Sequence, residues 1–152
     1  SSETMSGQCT PDLLWMLTRA NNAFLVKRDS GRTQFCKEQF NLTNTNSFKT
    51  SGIANGQGAD LQPIDNGAVL TIKSSKGKFK PAQLCKATKM ARGADMFDKD
   101  FAKVAKCVKN TVGGYYRPDL SKAALARWTK LHRSIKKTKK LAAAGDAAKG
   151  KK

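Results

Sequence analysis

Ala68-Val69-Leu70-Thr71-Ile72 is the strongest strand signal in the sequence. Three of its five residues are β-branched, and β-branched side chains favour extended backbone. The chain leaves this run through the basic turn Lys73–Gly77 and enters a second extended segment, Lys78–Pro81, which the proline ends. The pattern predicts a sheet with a lysine-rich hairpin tip.

Shorter segments before this strand also favour extended structure. Leu13–Leu17 and Ala23–Val26 are apolar runs separated by a segment with two Asn, which indicates a hairpin because Asn tolerates positive φ. Gln34–Glu38 and Ser47–Lys49 are predicted to be two further strands. Residues 52–67 contain four Gly, two Asn and a Pro, which predicts a long irregular connection.

Beyond residue 94 the apolar spacing changes from the strand period to the helical period. Asp95 is suited to cap a first helix, and Gly113-Gly114 is suited to end it. Pro118 is typical of the first position of a second helix. The apolar stripe of the first helix comprises Phe97, Phe101, Val104 and Val108. That of the second comprises Leu120, Ala124, Trp128, Leu131 and Ile135. Lysines occupy the opposite arcs, so each helix is predicted to pack one face and expose the other.

These elements predict an α+β fold, in which a small antiparallel β-sheet body precedes two amphipathic α-helices and a basic tail. With 152 residues, the chain is long enough for one domain with a core. We assign that domain to residues 1–137, β-rich over 12–81 and helical over 94–137. Residues 138–152 are rich in Lys and Ala and have little to bury, which predicts a flexible, mobile tail.

The positive charge of the chain is distributed unevenly. Of 29 basic and 11 acidic residues, six of each lie at or before Asp65. The rest of the chain therefore contains 23 basic residues and five acidic ones. The net charge of +18 is therefore carried by the second part. It exceeds the charge of about 2 to 8 that keeps a small domain soluble. Such an excess favours a polyanionic partner.

Few residues of the chain suit catalysis, metal binding or membrane insertion. His132 is the only histidine and is predicted to be an ordinary surface residue of a basic helix. The cysteines at 9, 36, 85 and 107 lack zinc-site spacing, which predicts reduced thiols, mostly packed as small hydrophobes in a cytosolic or nuclear protein. The longest apolar run has five residues, against about 20 for a bilayer span. We expect no enzyme activity, catalytic residue, metal, cofactor, small-molecule substrate, membrane contact or homo-oligomer.

Phosphate binding is the chemistry that the charges favour. Lys outnumbers Arg by 19 to 4 in the basic part, and lysine is a point charge suited to phosphates more than to base recognition. We predict that a hairpin tip, a loop and the second helix bind RNA phosphates through Lys73, Lys76, Lys78, Lys80, Lys86, Lys89, Arg92, Arg117, Arg127, Lys130, Arg133, Lys136 and Lys137. The charge alone leaves DNA and RNA open, and the tail is also compatible with a chromatin-binding protein.

Aromatic residues offer a second means of contact with nucleic acid, since bases stack on aromatic rings. Most of them are expected to lie in the core instead. The candidates are Trp15, Phe35, Phe40, Phe48, Phe79, Tyr115 and Tyr116.

Several segments, in order and with approximate spacing, resemble one known family. They are Leu14-Trp15-Met16, Phe24–Arg28, Asn46–Lys49 with Gly52, Gly67–Lys73, Lys80-Pro81-Ala82, Tyr116–Leu120 and the helix from Ala123 to Lys136. Together they resemble the eukaryotic large-subunit ribosomal protein family numbered twenty-eight, over roughly Leu13 to Lys137. No one of these motifs is diagnostic, whereas the ordered set is specific.

The resemblance implies a structural constituent of the large ribosomal subunit, without catalytic activity. It implies large-subunit ribosomal RNA, including expansion segments, and neighbouring ribosomal proteins as partners. It also implies a cytoplasmic location in the ribosome, with nucleolar transit during assembly. A nucleolar ribosome-assembly factor of the Mak-sixteen type is similar over its N-terminal domain, so it is the alternative, together with a chromatin-binding basic protein.

Overall fold

The computed structural model describes residues 9–64, 67–74, 83–90, 101–114 and 116–149. It contains a two-stranded sheet, a three-stranded sheet and two long helices at the C-terminal end, so the predicted α+β class is confirmed. Apart from Lys73 and Ser74, the predicted hairpin tip lies outside the described residues, as does the segment of residues 91–100 before the first long helix. Asp95, Phe97 and Lys78–Pro81 belong to these segments.

The three-stranded antiparallel sheet has its central strand where the sequence predicted one. Strand β4 is Gly67–Lys73, flanked by β3, Ala59–Ile64, and β5, Cys85–Lys89. The register sets Leu61 opposite Leu70, and both are fully buried. The prediction that residues 52–67 are irregular was therefore wrong over β3. Pairing with β4 outweighs the Pro and Gly content there, because Pro63 lies in an edge strand.

The N-terminal hairpin prediction was also wrong, because Pro11–Thr18 is a helix, α1. Thr10 accepts a hydrogen bond from the Leu13 amide at 3.4 Å, and Pro11 takes the first helical position. The two-stranded sheet pairs β1, Leu25–Arg28, with β2, Thr33–Cys36. Thus the predicted strand at Gln34–Glu38 is confirmed over its first residues, whereas residues 47–49 lie in a turn region.

The two long helices supply one side of the hydrophobic core, and the three-stranded sheet supplies the other. Helix α2 is Phe101–Gly113 and ends where the glycine pair predicted. A 3-10 turn over Pro118–Leu120 leads into α3, Ser121–Lys149. The predicted stripes are confirmed for the described residues, because Val104, Val108, Leu120, Ala124 and Trp128 are buried and Phe101, Leu131 and Ile135 pack against them. Val112, which the sequence analysis did not include, is buried as well.

Helix α3 continues beyond the domain boundary that the sequence predicted. Among the α3 residues whose side chains the structure describes, Ile135 is the last apolar one packed against the core, and Leu141 is exposed. The backbone nevertheless stays helical through residues 138–149, the segment predicted to be a flexible tail. Alanine and lysine are strong helix formers, which accounts for the continued helix. Its mobility in solution stays a prediction.

Candidate nucleic-acid interface

Six of the predicted phosphate-binding side chains lie on solvent-facing surfaces. They are Lys86, Lys89, Lys130, Arg133, Lys136 and Lys137. The four on α3 form its outer side, since Ala124, Trp128 and Leu131 turn the other side towards the core. The arrangement presents a row of cations along one side of the helix.

The two lysines of β5 do not lie together. Side chains alternate between the faces of a strand, and the positions of Lys86 and Lys89 differ by three, an odd number. Lys86 pairs with Ile72 and shares its face of the sheet, whereas Lys89 pairs with Val69 on the other face. These two residues therefore point to different sides of the molecule. Lys76, Lys78, Lys80 and Arg92 lie outside the described residues.

Lys73 is held inside the molecule by two backbone carbonyl groups. Its Nζ donates to the carbonyl oxygens of Gly52 and Asn55, each at 2.9 Å. Burial lowers the pKa of this ammonium group, although the nearby Cys85 and Glu38 oppose the shift. The contacts join the end of β4 to the 52–55 loop.

Arg117 is likewise engaged in internal contacts. Its guanidinium donates to the carbonyls of Gln57 at 3.1 Å and Lys49 at 2.9 Å. It also makes a bidentate pair with Asp119, at 3.2 and 2.7 Å. The hydrogen bonds from Arg117 hold the pKa of the Asp119 carboxyl below its ordinary value. Only 14% of the Arg117 side chain is exposed, so the residue positions the turn before α3.

Tyr116 completes this connection between the helices and the rest of the fold. Its hydroxyl accepts from the Gly58 amide at 2.8 Å and donates to the Lys73 carbonyl at 2.7 Å. Burial raises the pKa of the hydroxyl. We call Tyr116, Arg117 and Asp119 the clasp, because they attach the start of α3 to the 49–58 loop and to β4.

Arg127 connects α3 to the sheet and to the loop after β2. Its Nε donates to the Leu61 carbonyl at 3.5 Å, and its Nη1 lies 3.0 Å from the side-chain oxygen of Asn44. The half-buried guanidinium lines a depression of about 480 Å³ together with Phe24, Lys37 and Gln62. Arg127 thus borders the exposed row on α3 without belonging fully to it.

Two carboxylates in the first part of the chain are buried, which affects the charge of its surface. Glu38 accepts from Asn41 Nδ2 at 3.2 Å and from Ser51 Oγ at 3.1 Å, and Asp60 is also buried. The basic residues nearby remain exposed: Lys27, Arg28, Arg32 and Lys37. Among the described residues up to Ile64, six basic residues are exposed against two exposed acids, Asp12 and Asp29, so a region that is neutral by count has a basic surface. Sequence counting missed this, because burial of an acid depends on contacts that composition does not record.

The cysteines and the histidine depart from their predicted environments. All four cysteines are free, but only Cys36 is buried, and burial raises the pKa of its thiol. His132 is half-buried, with its ring centroid 4.8 Å from Phe101 and 5.8 Å from Trp128. It is therefore part of an aromatic cluster at the helix interface, where a surface residue was predicted.

Neither a metal site nor a membrane span is evident in the part of the chain that the structure describes. Among residues 9–64, 67–74, 83–90, 101–114 and 116–149, no three His, Cys, Asp or Glu side chains form a group that could hold a metal ion. Within these same ranges, no helix combines the length and apolar composition needed to cross a bilayer.

A small basic α+β protein with cationic helix faces is the class that these features define. Residues 13–134 match the Ribosomal L28e protein family. The chain is 35% identical over 132 residues to the large ribosomal subunit protein eL28 of Dictyostelium discoideum, covering 87% of this chain and 93% of that protein. It is 34% identical over 119 residues to the Schizosaccharomyces pombe protein of the same name, covering 76% and 85%. The chain belongs to the Ribosomal L28e protein family, which confirms the resemblance drawn from its sequence.

Proposed function

We propose that this chain is a structural constituent of the eukaryotic large ribosomal subunit and stabilises its ribosomal RNA through phosphate contacts. Family membership and the names of the relatives, which are large-subunit ribosomal proteins, support this function. The observation that carries the RNA contact is the row of exposed cations on α3, opposite a side that is buried in the core. Such a protein needs no catalytic residue, and the proposal assigns none.

The shape of α3 suits a long contact with RNA. Its 29 residues span roughly 44 Å at 1.5 Å per residue, and the part beyond Ile135 leaves the core. Lys136, Lys137 and Lys140 are exposed there, where their mutual repulsion destabilises the helix. Phosphates would neutralise this repulsion and release counterions, so RNA binding should order the predicted tail.

The internal contacts divide the predicted binding residues into two groups. Lys86, Lys89, Lys130, Arg133, Lys136 and Lys137 are proposed as direct phosphate contacts, together with Lys76, Lys78, Lys80 and Arg92. In this proposal Lys73 and Arg117 position the binding surface, because carbonyl groups already occupy their donors. Arg127 lies between these groups, at the edge of the row.

The proposed partners are large-subunit ribosomal RNA, including expansion segments, and neighbouring ribosomal proteins. The proposed location is the cytoplasmic ribosome, with transit through the nucleolus during assembly. No membrane, small-molecule substrate or second copy of the chain takes part. Sedimentation of a lysate in high salt separates this function from an assembly factor, which would migrate with precursor particles. Recovery with chromatin would favour the chromatin alternative.

Salt dependence tests the phosphate contacts directly. Binding to a large-subunit RNA fragment should weaken with salt, and the slope of log K against log salt changes by about 0.7 to 0.9 for each phosphate contact. Replacing Arg133, Lys136 and Lys137 by Gln should therefore reduce the slope by about two to three. The matched control replaces the exposed Lys103, Lys106 and Lys109 of α2 by Gln, with the same loss of charge. Equal effects of the two triple variants would contradict the assigned site.

A further inference from the structure

One solvent-facing side of the β1–β2 sheet carries two exposed phenylalanines among cations. The register pairs Val26 with Phe35 and Arg28 with Thr33, and the Lys37 amide donates to the Phe24 carbonyl at 2.9 Å. Because side chains alternate along a strand, these six residues share one face. Phe24 is 48% and Phe35 37% exposed, and Arg28 and Lys37 are exposed beside them.

Phe35 borders a depression of about 300 Å³, the lower end of the range for ligand pockets. The other lining residues are Val26, Arg28, Cys36, Lys37 and Asn44. One aromatic ring and two cations therefore border the same small space: Arg28 belongs to β1, and Lys37 directly follows β2. The acids nearest in sequence do not line it.

The backbone beneath Phe35 is held from both sides. On one side β2 pairs with β1, and on the other Phe35 forms a bridge with Thr45. The Cys36 amide donates to the Asn44 carbonyl at 2.8 Å, and the Asn46 amide to the Gln34 carbonyl at 3.3 Å. Phe35 therefore stands on a fixed platform, although it is not part of the hydrophobic core.

We propose that this face binds an unpaired nucleobase of RNA, which stacks on Phe35 while Arg28 and Lys37 contact the flanking phosphates. An aromatic platform beside cations is what a single-stranded nucleic acid requires, since the base offers a π-face and the backbone a charge. An exposed phenylalanine without cations would fit a protein partner equally well. This inference rests on the proposed RNA-binding function and adds a site to it.

The site is continuous with the basic surface of α3. Lys37 and Asn44 also line the larger depression that Arg127 borders, so one wall separates the two. Glu38 and Asp60 line that larger depression, and their carboxylates disfavour a phosphate there. An RNA strand that runs along α3 would therefore place an unpaired base on Phe35 rather than in the depression lined by Glu38 and Asp60.

Two RNA probes test this site: a single-stranded uridine 12-mer and a blunt 12-base-pair RNA duplex, measured by fluorescence anisotropy. Phe35→Leu, which keeps an apolar side chain but removes the aromatic face, should weaken binding of the single strand by roughly fivefold or more. Binding of the duplex should not change. Phe35→Trp should restore the affinity for the single strand. The matched control is Phe48→Leu, because Phe48 is equally exposed, at 38%, but its ring packs against Trp15, with the ring centroids 6.0 Å apart.

The outcomes separate this inference from the proposed function. If Phe35→Leu binds both RNAs as tightly as the parent chain, the stacking site is wrong, while the phosphate contacts of α3 stand. Equal loss from Phe35→Leu and Phe48→Leu also contradicts the site. If Phe35→Leu loses its place in the ribosomal subunit but keeps single-strand affinity, the face binds a protein and the proposal fails. If the parent chain binds neither RNA, the proposed function fails as well.

Discussion

The region from Cys9 to Gly58 and the region formed by α2 and α3 are stabilised in different ways. The helical region buries an apolar stripe, and Trp128 is fully inaccessible within it. The first region buries polar residues, among them Glu38, Asn41 and Ser51, together with a few apolar ones: Cys36, Phe40, Leu42 and Ala54. Most of the exposed large apolar side chains also lie in the first region: Leu13, Met16, Leu17, Phe24, Phe35, Phe48 and Ile53. Hydrophobic periodicity therefore identifies the helical region, whose core is an apolar stripe, but it does not identify the elements of the first region.

Trp128→Ala should have the largest effect on stability, because it removes the fully buried ring at the centre of the helical region. We expect a loss of about 3 to 5 kcal/mol in the free energy of unfolding, measured by urea denaturation. Trp15→Ala is the matched control in the first region, where the ring is half-buried. A loss there as large as that for Trp128 would remove the contrast between the two regions.

Gly52→Ala should have the next largest effect, because it tests close backbone packing in the first region. A Cβ at residue 52 would overlap the Gln39 carbonyl oxygen and come within 2.9 Å of Phe40 Cβ. The expected loss is about 1 to 3 kcal/mol, from backbone displacement. Gly56→Ala is the control, since a Cβ there meets no atom within 4 Å. If both variants unfold at the same urea concentration, backbone packing does not hold this region.

Tyr116→Phe tests the clasp that joins the two regions. The variant keeps the ring but removes the acceptor of the Gly58 amide and the donor to the Lys73 carbonyl. Unsatisfied polar groups at this half-buried position should cost about 1 to 3 kcal/mol. Thr138→Ala, which removes an exposed hydroxyl bond to Ser134, should change stability by less than about 0.5 kcal/mol. Similar losses for the two would show that the clasp is dispensable.

Asp119→Asn should have the smallest effect, visible in the pH dependence of stability. Because Arg117 lowers the folded-state pKa of Asp119, its contribution is present above the unfolded pKa of about 4 and is lost as pH falls through the folded pKa. The carboxylate is 37% exposed, so solvent screening limits the effect to under about 1 kcal/mol. Thermal melts between pH 7 and 2 should show a shallower acid loss for the variant. If the variant and the parent chain lose stability equally as the pH falls, the Arg117–Asp119 pair does not contribute to the acid loss of stability.

The elements found from the sequence are those with a strong local signal. The β-branched residues of Ala68–Ile72 identified strand β4, and the helical period of the apolar residues identified α2 and α3. Helix α1 was misread because Leu13–Leu17 is apolar on every side, and the capping signal of Thr10 and Pro11 identifies it better than the apolar run. Strand β3 was hidden by glycine and proline in a segment that only pairing with β4 makes extended.

The sequence predicted which side of α3 is exposed, but it did not predict which cations make internal contacts. Net charge indicated a polyanion, and the helical pattern placed Lys130, Lys136 and Lys137 on the exposed side. Charge counts do not reveal which cations are used internally, since Arg117 contacts carbonyl groups 60 and 68 residues earlier in the chain. Nor do they reveal that burial of Glu38 and Asp60 leaves a basic surface around β1 and β2.

Lysine reactivity, measured on the free chain and on intact large subunits, shows whether the α3 cations lie against ribosomal RNA. An amine-acylating reagent with mass-spectrometric readout reports each lysine separately. We predict that Lys130, Lys136 and Lys137 react in the free chain, lose most of this reactivity in the subunit and regain it after nuclease digestion. Lys73 should react slowly in both, because two carbonyl groups hold its ammonium. Unchanged reactivity of the three α3 lysines in the subunit would contradict the account.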